Sequence, residues 1–218
     1  MAETLKLKFD ATRRMVQGDR LFTPVNDLLI ILSAIAHASS LMISGSTHTD
    51  PRPVMRVRTI WSDYGLAIPL RGPLEHALAG TIPAAIEIGI ITTPSALSET
   101  MPNAKAQTGG LRGVMAHAVS PIFLMFFERY NDWMDATYGD ATNWPPTLNF
   151  ARVIRNAGAH GKINIRNPRA PAVSWRGLSY DYADNGRQII GQDVQLGEIL
   201  ALMFDSSDEL DALSAPVL

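Results

Sequence analysis

Residues 148–161 read LNFARVIRNAGAHG, and the apolar or small residues in this segment recur at helical spacing. Intervals of three or four residues separate Leu148, Ala151, Ile154 and Gly158. Such spacing is typical of one buried face of an amphipathic helix, and Gly161 is a natural stop signal. The segment therefore predicts a helix whose last turns carry Arg155, Asn156 and His160.

These three polar residues form a chemically suggestive group at the end of the predicted helix. Asn156 and His160 are four positions apart and share a helix face, and Arg155 is long enough to reach the same patch. A histidine transfers protons, an arginine stabilises negative charge, and an amide orients its neighbours. Cleavage of a phosphodiester needs these functions, so Arg155, Asn156 and His160 are the candidate catalytic residues.

Three further long helices are predicted elsewhere in the chain. Residues 23–44 begin with a Thr-Pro start signal and continue with apolar residues at helical spacing. A long helix follows the glycine pair at 109–110 and extends to about residue 134, with a kink expected at Pro121. The last helix is predicted over residues 196–213.

The remaining segments have shorter and less regular sequence patterns. Residues 45–53 are rich in Gly, Ser, Thr and Pro and predict a loop, and residues 54–61 fit a strand or a helix. Prolines cut the next region into short pieces, of which 74–79 and 84–91 are predicted helical. Two short strands, 173–180 and 187–194, are predicted to pair around the Asn-Gly turn signal at 185–186.

The resulting expectation is a mainly α protein: a helical bundle with a small C-terminal β-hairpin before the last helix. The chain has 218 residues and 46% hydrophobic content, which suits one domain covering residues 1–218. Its absence of cysteine excludes disulfides and thiolate metal sites. No metal or cofactor motif is recognised. Its apolar segment at 28–43 is too short and too polar for a membrane span, which predicts a cytoplasmic protein without a membrane partner.

Charge is unevenly distributed although the formal net charge is only −2. Between Ala141 and Tyr180 there is no Asp or Glu, whereas eight acidic residues follow from Asp181 onward. The acid-free segment contains several basic residues: Arg152, Arg155, Lys162, Arg166, Arg169 and Arg176. This pattern predicts a local anion-binding surface. The alternative is that the acidic tail packs over the basic segment and pairs with it.

The Arg-Asn-x3-His pattern of residues 155–160 resembles the Arg-x4-6-His motif of the HEPN superfamily, the higher eukaryotes and prokaryotes nucleotide-binding domains. The resemblance covers residues 150–166 and implies a HEPN-like core over 109–218, preceded by a helical part at 1–108 that matches no particular fold. Many HEPN proteins are metal-independent endoribonucleases of toxin–antitoxin or defence systems. They dimerise so that two motifs face each other.

The resemblance implies a role for each candidate residue. His160 would exchange protons with the ribose 2′-OH or the leaving oxygen, Arg155 would hold the scissile phosphate, and Asn156 would orient His160 or bind phosphate. The RNA backbone would be bound by Arg152, Lys162, Arg166 and Arg169. The expected partners are RNA or a nucleotide, a second copy of the chain, and a protein antitoxin.

Two alternatives stay open. The chain could be a catalytically silent HEPN-like module that binds nucleotide, RNA or protein, or a small helical interaction protein whose motif match is accidental. Trp175 and Tyr180 are candidate base-stacking platforms, although their strand spacing favours core packing over that role.

Overall fold

A computed structural model describes residues 10–44, 54–92 and 111–218 of the chain. The predicted loop at 45–53 lies outside these residues. The described residues of the N-terminal part form four strands and two helices: β1 Ala11–Val16, α1 Phe22–Ser44, β2 Val54–Arg58, β3 Gly65–Pro69, α2 Arg71–Leu78 and β4 Ala85–Ile91. The C-terminal part contains three helices and two strands: α3 Leu111–Tyr138, α4 Pro146–His160, β5 Val173–Trp175, β6 Leu178–Tyr180 and α5 Leu196–Ala212.

Strands β1 to β4 form one antiparallel sheet in the order β1-β4-β3-β2. Met15 of β1 lies opposite Ile86 of β4, and Leu66 of β3 lies opposite Ile90. The expectation of a mainly α fold with a helical part at 1–108 is therefore wrong, because the described residues of that part form this four-stranded sheet together with α1 and α2. The protein has a mixed α and β fold.

The sheet corrects the reading of two segments. Residues 84–91 were predicted helical, but Ala85–Ile91 is strand β4. Ile86 and Ile88 are buried and Glu87 between them is exposed, which is the two-residue period of a strand. Isoleucine is β-branched and favours a pleated, half-buried surface. The ambiguous segment 54–61 contains strand β2, which ends at Arg58.

The long helices pack together beside the sheet. Helix α4 contacts α3, α5 and strand β5, and α1 contacts α3. The predicted helices at 23–44, 110–134 and 196–213 are confirmed as α1, α3 and α5, with Pro121 inside α3. Phe150 of α4 stacks on Trp175 and Tyr180, with ring centroids 5.6 and 5.8 Å apart. Among the described residues, no helix combines the length and apolar content that a membrane span requires.

The C-terminal hairpin is shorter than predicted and lies elsewhere. Strands β5 and β6 pair around Arg176 and Gly177, whose φ angles of 44° and 86° are both positive, as a tight hairpin turn requires. The predicted turn residue Asn185 has a φ of −56°, which does not suit the predicted hairpin turn. Its side chain accepts from the Ile165 N–H at 2.6 Å and donates to the Ile165 carbonyl at 2.8 Å. This contact fixes the chain that leaves α4.

Candidate functional site

Helix α4 presents the candidate residues because its sequence separates an apolar face from a polar one. The buried residues are Leu148, Phe150, Ala151, Val153, Ile154 and Ala157. Pro146 lies in the first turn, where its missing N–H leaves no bond unmade. Gly161 ends the helix in the left-handed region with a φ of 73°, directly after His160. The polar face therefore ends at a fixed point.

Five of the seven predicted site residues line one cleft of about 480 Å³, which we term the α4 cleft. They are Arg152, Arg155, Asn156, His160 and Arg166. The other walls are formed by Asn131 and Asp135 of α3, the α3–α4 connection around Trp144, and the chain from Asn164 to Asn167. These walls surround the polar face of α4 on the side of α3.

Arg155 has protein partners on both terminal nitrogens. Its Nη2 forms an ion pair with Glu128 of α3, and its Nη1 donates to Asn156 Oδ1 at 2.6 Å. Its Nε is buried without a hydrogen-bond partner among the described residues. Asn156 therefore orients Arg155, whereas the sequence-based prediction gave Asn156 the task of orienting His160 or binding phosphate. The guanidinium is held in one position before any ligand arrives.

Arg152 is held by its own helix. Its Nε and Nη2 donate to Asn149 Oδ1 at 3.1 and 2.9 Å, and its guanidinium carbon lies 6.0 Å from the ring centroid of Trp144. Burial lowers the pKa of the Arg152 guanidinium, and the nearby carboxylates Asp140 and Asp135 act in the opposite direction. Arginine stays protonated in proteins, so Arg152 contributes a fixed positive charge to the cleft.

His160 is exposed at the end of α4 and lines the cleft. Its ring makes no hydrogen bond to another residue of the described ranges. An exposed imidazole at the edge of a cleft lined by three arginines is placed to accept or donate a proton at a bound ligand. One chain supplies one such imidazole at this site.

Lys162 and Arg169 are exposed and are not among the cleft-lining residues. Arg176 lies in a different cluster, where its Nε and Nη2 donate to Asp205 at 2.7 and 2.9 Å. The alternative that the acidic tail pairs with the basic segment therefore holds for Arg176. Tail carboxylates also pair with arginines of the N-terminal part, as in the contact of Arg20 with Asp211 at 3.0 Å.

Trp175 and Tyr180 do not serve as base-stacking platforms. Their residues are 8% and 1% exposed, and both rings pack on Phe150. Burial and the contact of the Tyr180 hydroxyl with Asp193 also raise the pKa of Tyr180 above its ordinary value. The core-packing alternative was the correct one for both residues.

The acid-free stretch of sequence predicted a local anion-binding surface, and the folded cleft is of mixed charge. Asp135 of α3 and Asp140 of the α3–α4 connection line the cleft, and Glu128 of α3 pairs with Arg155 without being among the lining residues. The N–H and hydroxyl of Thr142 donate to Asp140 and hold the pKa of that carboxyl below its ordinary value. Only the antiparallel packing of α3 and α4 brings these carboxylates to the basic residues. The spacing of residues within α4 does not predict these carboxylates, because they come from other parts of the chain.

Comparison with known proteins gives no match: no family model matches the chain, and no curated protein or solved structure matches it at a significant level.

Proposed function

We propose that the protein is a metal-independent endoribonuclease of HEPN type whose α4 cleft binds the RNA backbone. The observation that carries the proposal is the convergence of Arg155, Asn156 and His160 in one cleft with Arg152 and Arg166. Three arginines beside an exposed histidine suit a phosphodiester, because arginine binds phosphate oxygens bidentately and the histidine is placed to move a proton.

In the proposed reaction the ribose 2′-OH attacks the adjacent phosphorus and the bond to the 5′-oxygen breaks. The products are a 2′,3′-cyclic phosphate and a free 5′-OH. A base takes the 2′-OH proton and an acid protonates the leaving 5′-oxygen, while arginines stabilise the negative charge of the transition state. His160 supplies one of these proton transfers. We infer that a second copy of the chain supplies the other in a homodimer with a composite site.

A non-catalytic binding module is the second candidate, and one observation favours it. Arg155 already has a carboxylate partner in Glu128, and Asp135 and Asp140 lower the positive potential of the cleft. Such a cleft could bind a nucleotide, RNA or a protein through polar contacts without cleaving anything. This candidate predicts salt-dependent RNA binding that is weakened in Arg155→Ala and leaves the RNA intact.

The biological setting we propose is a toxin–antitoxin or defence system in the cytoplasm, with a protein antitoxin that restrains the ribonuclease. This setting comes from the resemblance of residues 155–160 to the HEPN motif. Induced expression should stop cell growth, and His160→Ala should restore it at equal protein level. Growth arrest that persists in His160→Ala would contradict a role in RNA cleavage.

The direct test of the activity is incubation of the purified protein with single-stranded RNA in EDTA. The ribonuclease should release fragments with cyclic-phosphate and 5′-OH ends, and His160→Ala should release none while keeping its thermal transition. Binding without cleavage would select the second candidate. A protein that neither binds nor cleaves RNA would contradict both.

A further inference from the structure

The donors of Arg155 are already committed within the protein. A phosphate group bound bidentately to arginine needs two adjacent N–H donors on one edge of the guanidinium. In Arg155 the Nη2 group faces the Glu128 carboxylate and the Nη1 group donates to Asn156. The Nε–H is buried without a partner among the described residues. A carboxylate thus stands where a phosphate oxygen would bind.

Glu128 is dispensable for orienting Arg155, because Asn156 already holds the guanidinium from the neighbouring position. The two side chains of the ion pair keep 26% and 37% of their surface exposed, so solvent reaches both partners and the pair can open without unfolding of the helices. A phosphate that approaches the same guanidinium is repelled by Glu128 while the pair is closed. The exposure of the ion pair and the repulsion of phosphate both indicate that Glu128 competes with a bound anion and does not help to bind it.

We propose that Glu128 occupies the phosphate-binding edge of Arg155 in the free protein and that a phosphate group of the ligand must displace it. The inference rests on the proposed function, since it names the internal occupant of the site to which RNA phosphate would bind. RNA therefore binds Arg155 more weakly than it would if the Glu128 carboxylate were absent. Only a ligand that offers several phosphates together displaces the carboxylate efficiently.

Asp132 provides a matched control. It lies one helical turn after Glu128 on α3 and is exposed, and like Glu128 it is not among the residues that line the α4 cleft. It differs from Glu128 in that no ion pair joins it to Arg155 among the described residues. Asp132→Asn and Glu128→Gln remove the same charge from the same helix, so a general change of electrostatic potential affects both variants alike. A difference between them reports the contact with Arg155.

The experiment compares the wild type, Glu128→Gln, Asp132→Asn and the double variant Glu128→Gln with Arg155→Ala. Inorganic pyrophosphate is the first probe, with its Kd taken from the ligand dependence of the thermal transition, and a single-stranded RNA oligonucleotide in EDTA is the second. Glu128→Gln should bind pyrophosphate about tenfold more tightly than Asp132→Asn, as expected for release of one charge-assisted contact, and the double variant should lose this gain.

The two probes separate the inference from the function on which it rests. Equal pyrophosphate affinity of Glu128→Gln and Asp132→Asn overturns the inference, and so does a gain that survives Arg155→Ala. Tighter pyrophosphate binding in Glu128→Gln without RNA binding by any variant supports the inference and overturns the ribonuclease. A variant Glu128→Ala guards against misfolding of the glutamine form, and it should show the same gain over Asp132→Asn.

Discussion

A Cβ atom built on Gly158 of α4 would lie 2.5 Å from Oγ of Ser120 on α3. Real Cβ atoms essentially never approach a heavy atom this closely, so a larger residue at position 158 requires the Ser120 hydroxyl to move. Gly158 is two positions before His160, and the contact therefore fixes how the last turn of α4 sits against α3. Glycine is otherwise unfavourable inside a helix, which makes packing its reason for being here.

Gly158→Ala should destabilise the fold by about 1 kcal/mol, because the added methyl group displaces the buried Ser120 hydroxyl, while the higher helix propensity of alanine offsets part of this cost. Ser120→Ala removes the opposing oxygen and leaves the Ser120 Cβ 3.9 Å from the new methyl, an ordinary contact. The double variant should therefore recover the stability of Ser120→Ala alone. Urea denaturation of the three variants measures this coupling. Additive effects of the two substitutions would show that the helices do not meet as described.

The helices could be predicted from the sequence because each keeps an apolar stripe over many residues. The sheet could not, because its strands are short and one of them, β3, differs in pattern from a half-buried strand. β3 is buried along most of its length, so Leu66, Ala67 and Ile68 show no alternation. In β4 the alternation of Ile86, Glu87 and Ile88 indicates a strand. The prolines on either side of this segment are equally typical of short helical pieces, which led to the wrong prediction of a helix.

The candidate site also contains residues whose positions follow from the sequence and residues whose positions do not. The spacing of Arg155, Asn156 and His160 places them on one helix, and the helix forms as expected. Lys162 and Arg169 follow Gly161, where the chain leaves the helix and its direction depends on contacts such as that of Asn185 with Ile165. Glu128 comes from a separate helix. Contacts between elements decide these positions, and a single sequence does not record them.

RNA affinity should separate the cationic residues inside the cleft from those outside it. Arg166→Ala should weaken binding about tenfold, because Arg166 lines the cleft with Arg155. Lys162→Ala and Arg169→Ala remove exposed charges outside the lining and should change the Kd by about threefold or less. Fluorescence anisotropy at one fixed salt concentration compares all three variants. Equal losses in all three would place the RNA on the outer surface instead of in the cleft.

Asp205 and Asp208 of α5 each bind an arginine with two hydrogen bonds, yet their contributions should differ. Asp205 is 26% exposed, accepts from the Trp175 indole at 2.8 Å, and holds Arg176 at its positive φ of 44°. Asp208 pairs with Arg13 and is 62% exposed.

Asp205→Ala should lower the free energy of unfolding by about 2–4 kcal/mol, since it leaves a largely buried indole N–H and an arginine without partners. Asp208→Ala should lower it by less than about 1 kcal/mol, as exposed ion pairs contribute little. Guanidinium titrations of the two variants give both values. A larger loss in Asp208→Ala would contradict the described environment of α5.

Glu198 joins the first turn of α5 to the β2–β3 turn. Its carboxylate accepts from the backbone N–H groups of Ile60 and of Gln195, and the residue is 1% exposed. Burial raises the pKa of Glu198 above its ordinary value, and the N–H donors only partly oppose this. A raised pKa in the folded state means that the folded protein binds the proton more tightly than the unfolded chain does.

The stability that Glu198 gains by protonation is fully present below its unfolded pKa of about 4.5 and is lost as the pH rises through the folded pKa. Glu198→Gln cannot titrate, so the difference in unfolding free energy between wild type and variant should shift toward the wild type as the pH falls from 7 to 4.5. Urea denaturation at several pH values measures this difference. A difference that is constant with pH, or that shifts toward the variant on acidification, would contradict the raised pKa.

The central claim is that His160 transfers a proton during RNA cleavage in the α4 cleft. Single-stranded RNA incubated in EDTA with wild type, His160→Ala and Lys162→Ala tests it most directly, with product ends identified by mass spectrometry. The account predicts cyclic-phosphate and 5′-OH ends from wild type and Lys162→Ala, and a loss of cleavage of at least about hundredfold in correctly folded His160→Ala. Undiminished cleavage by His160→Ala, or intact RNA with every protein, would contradict it.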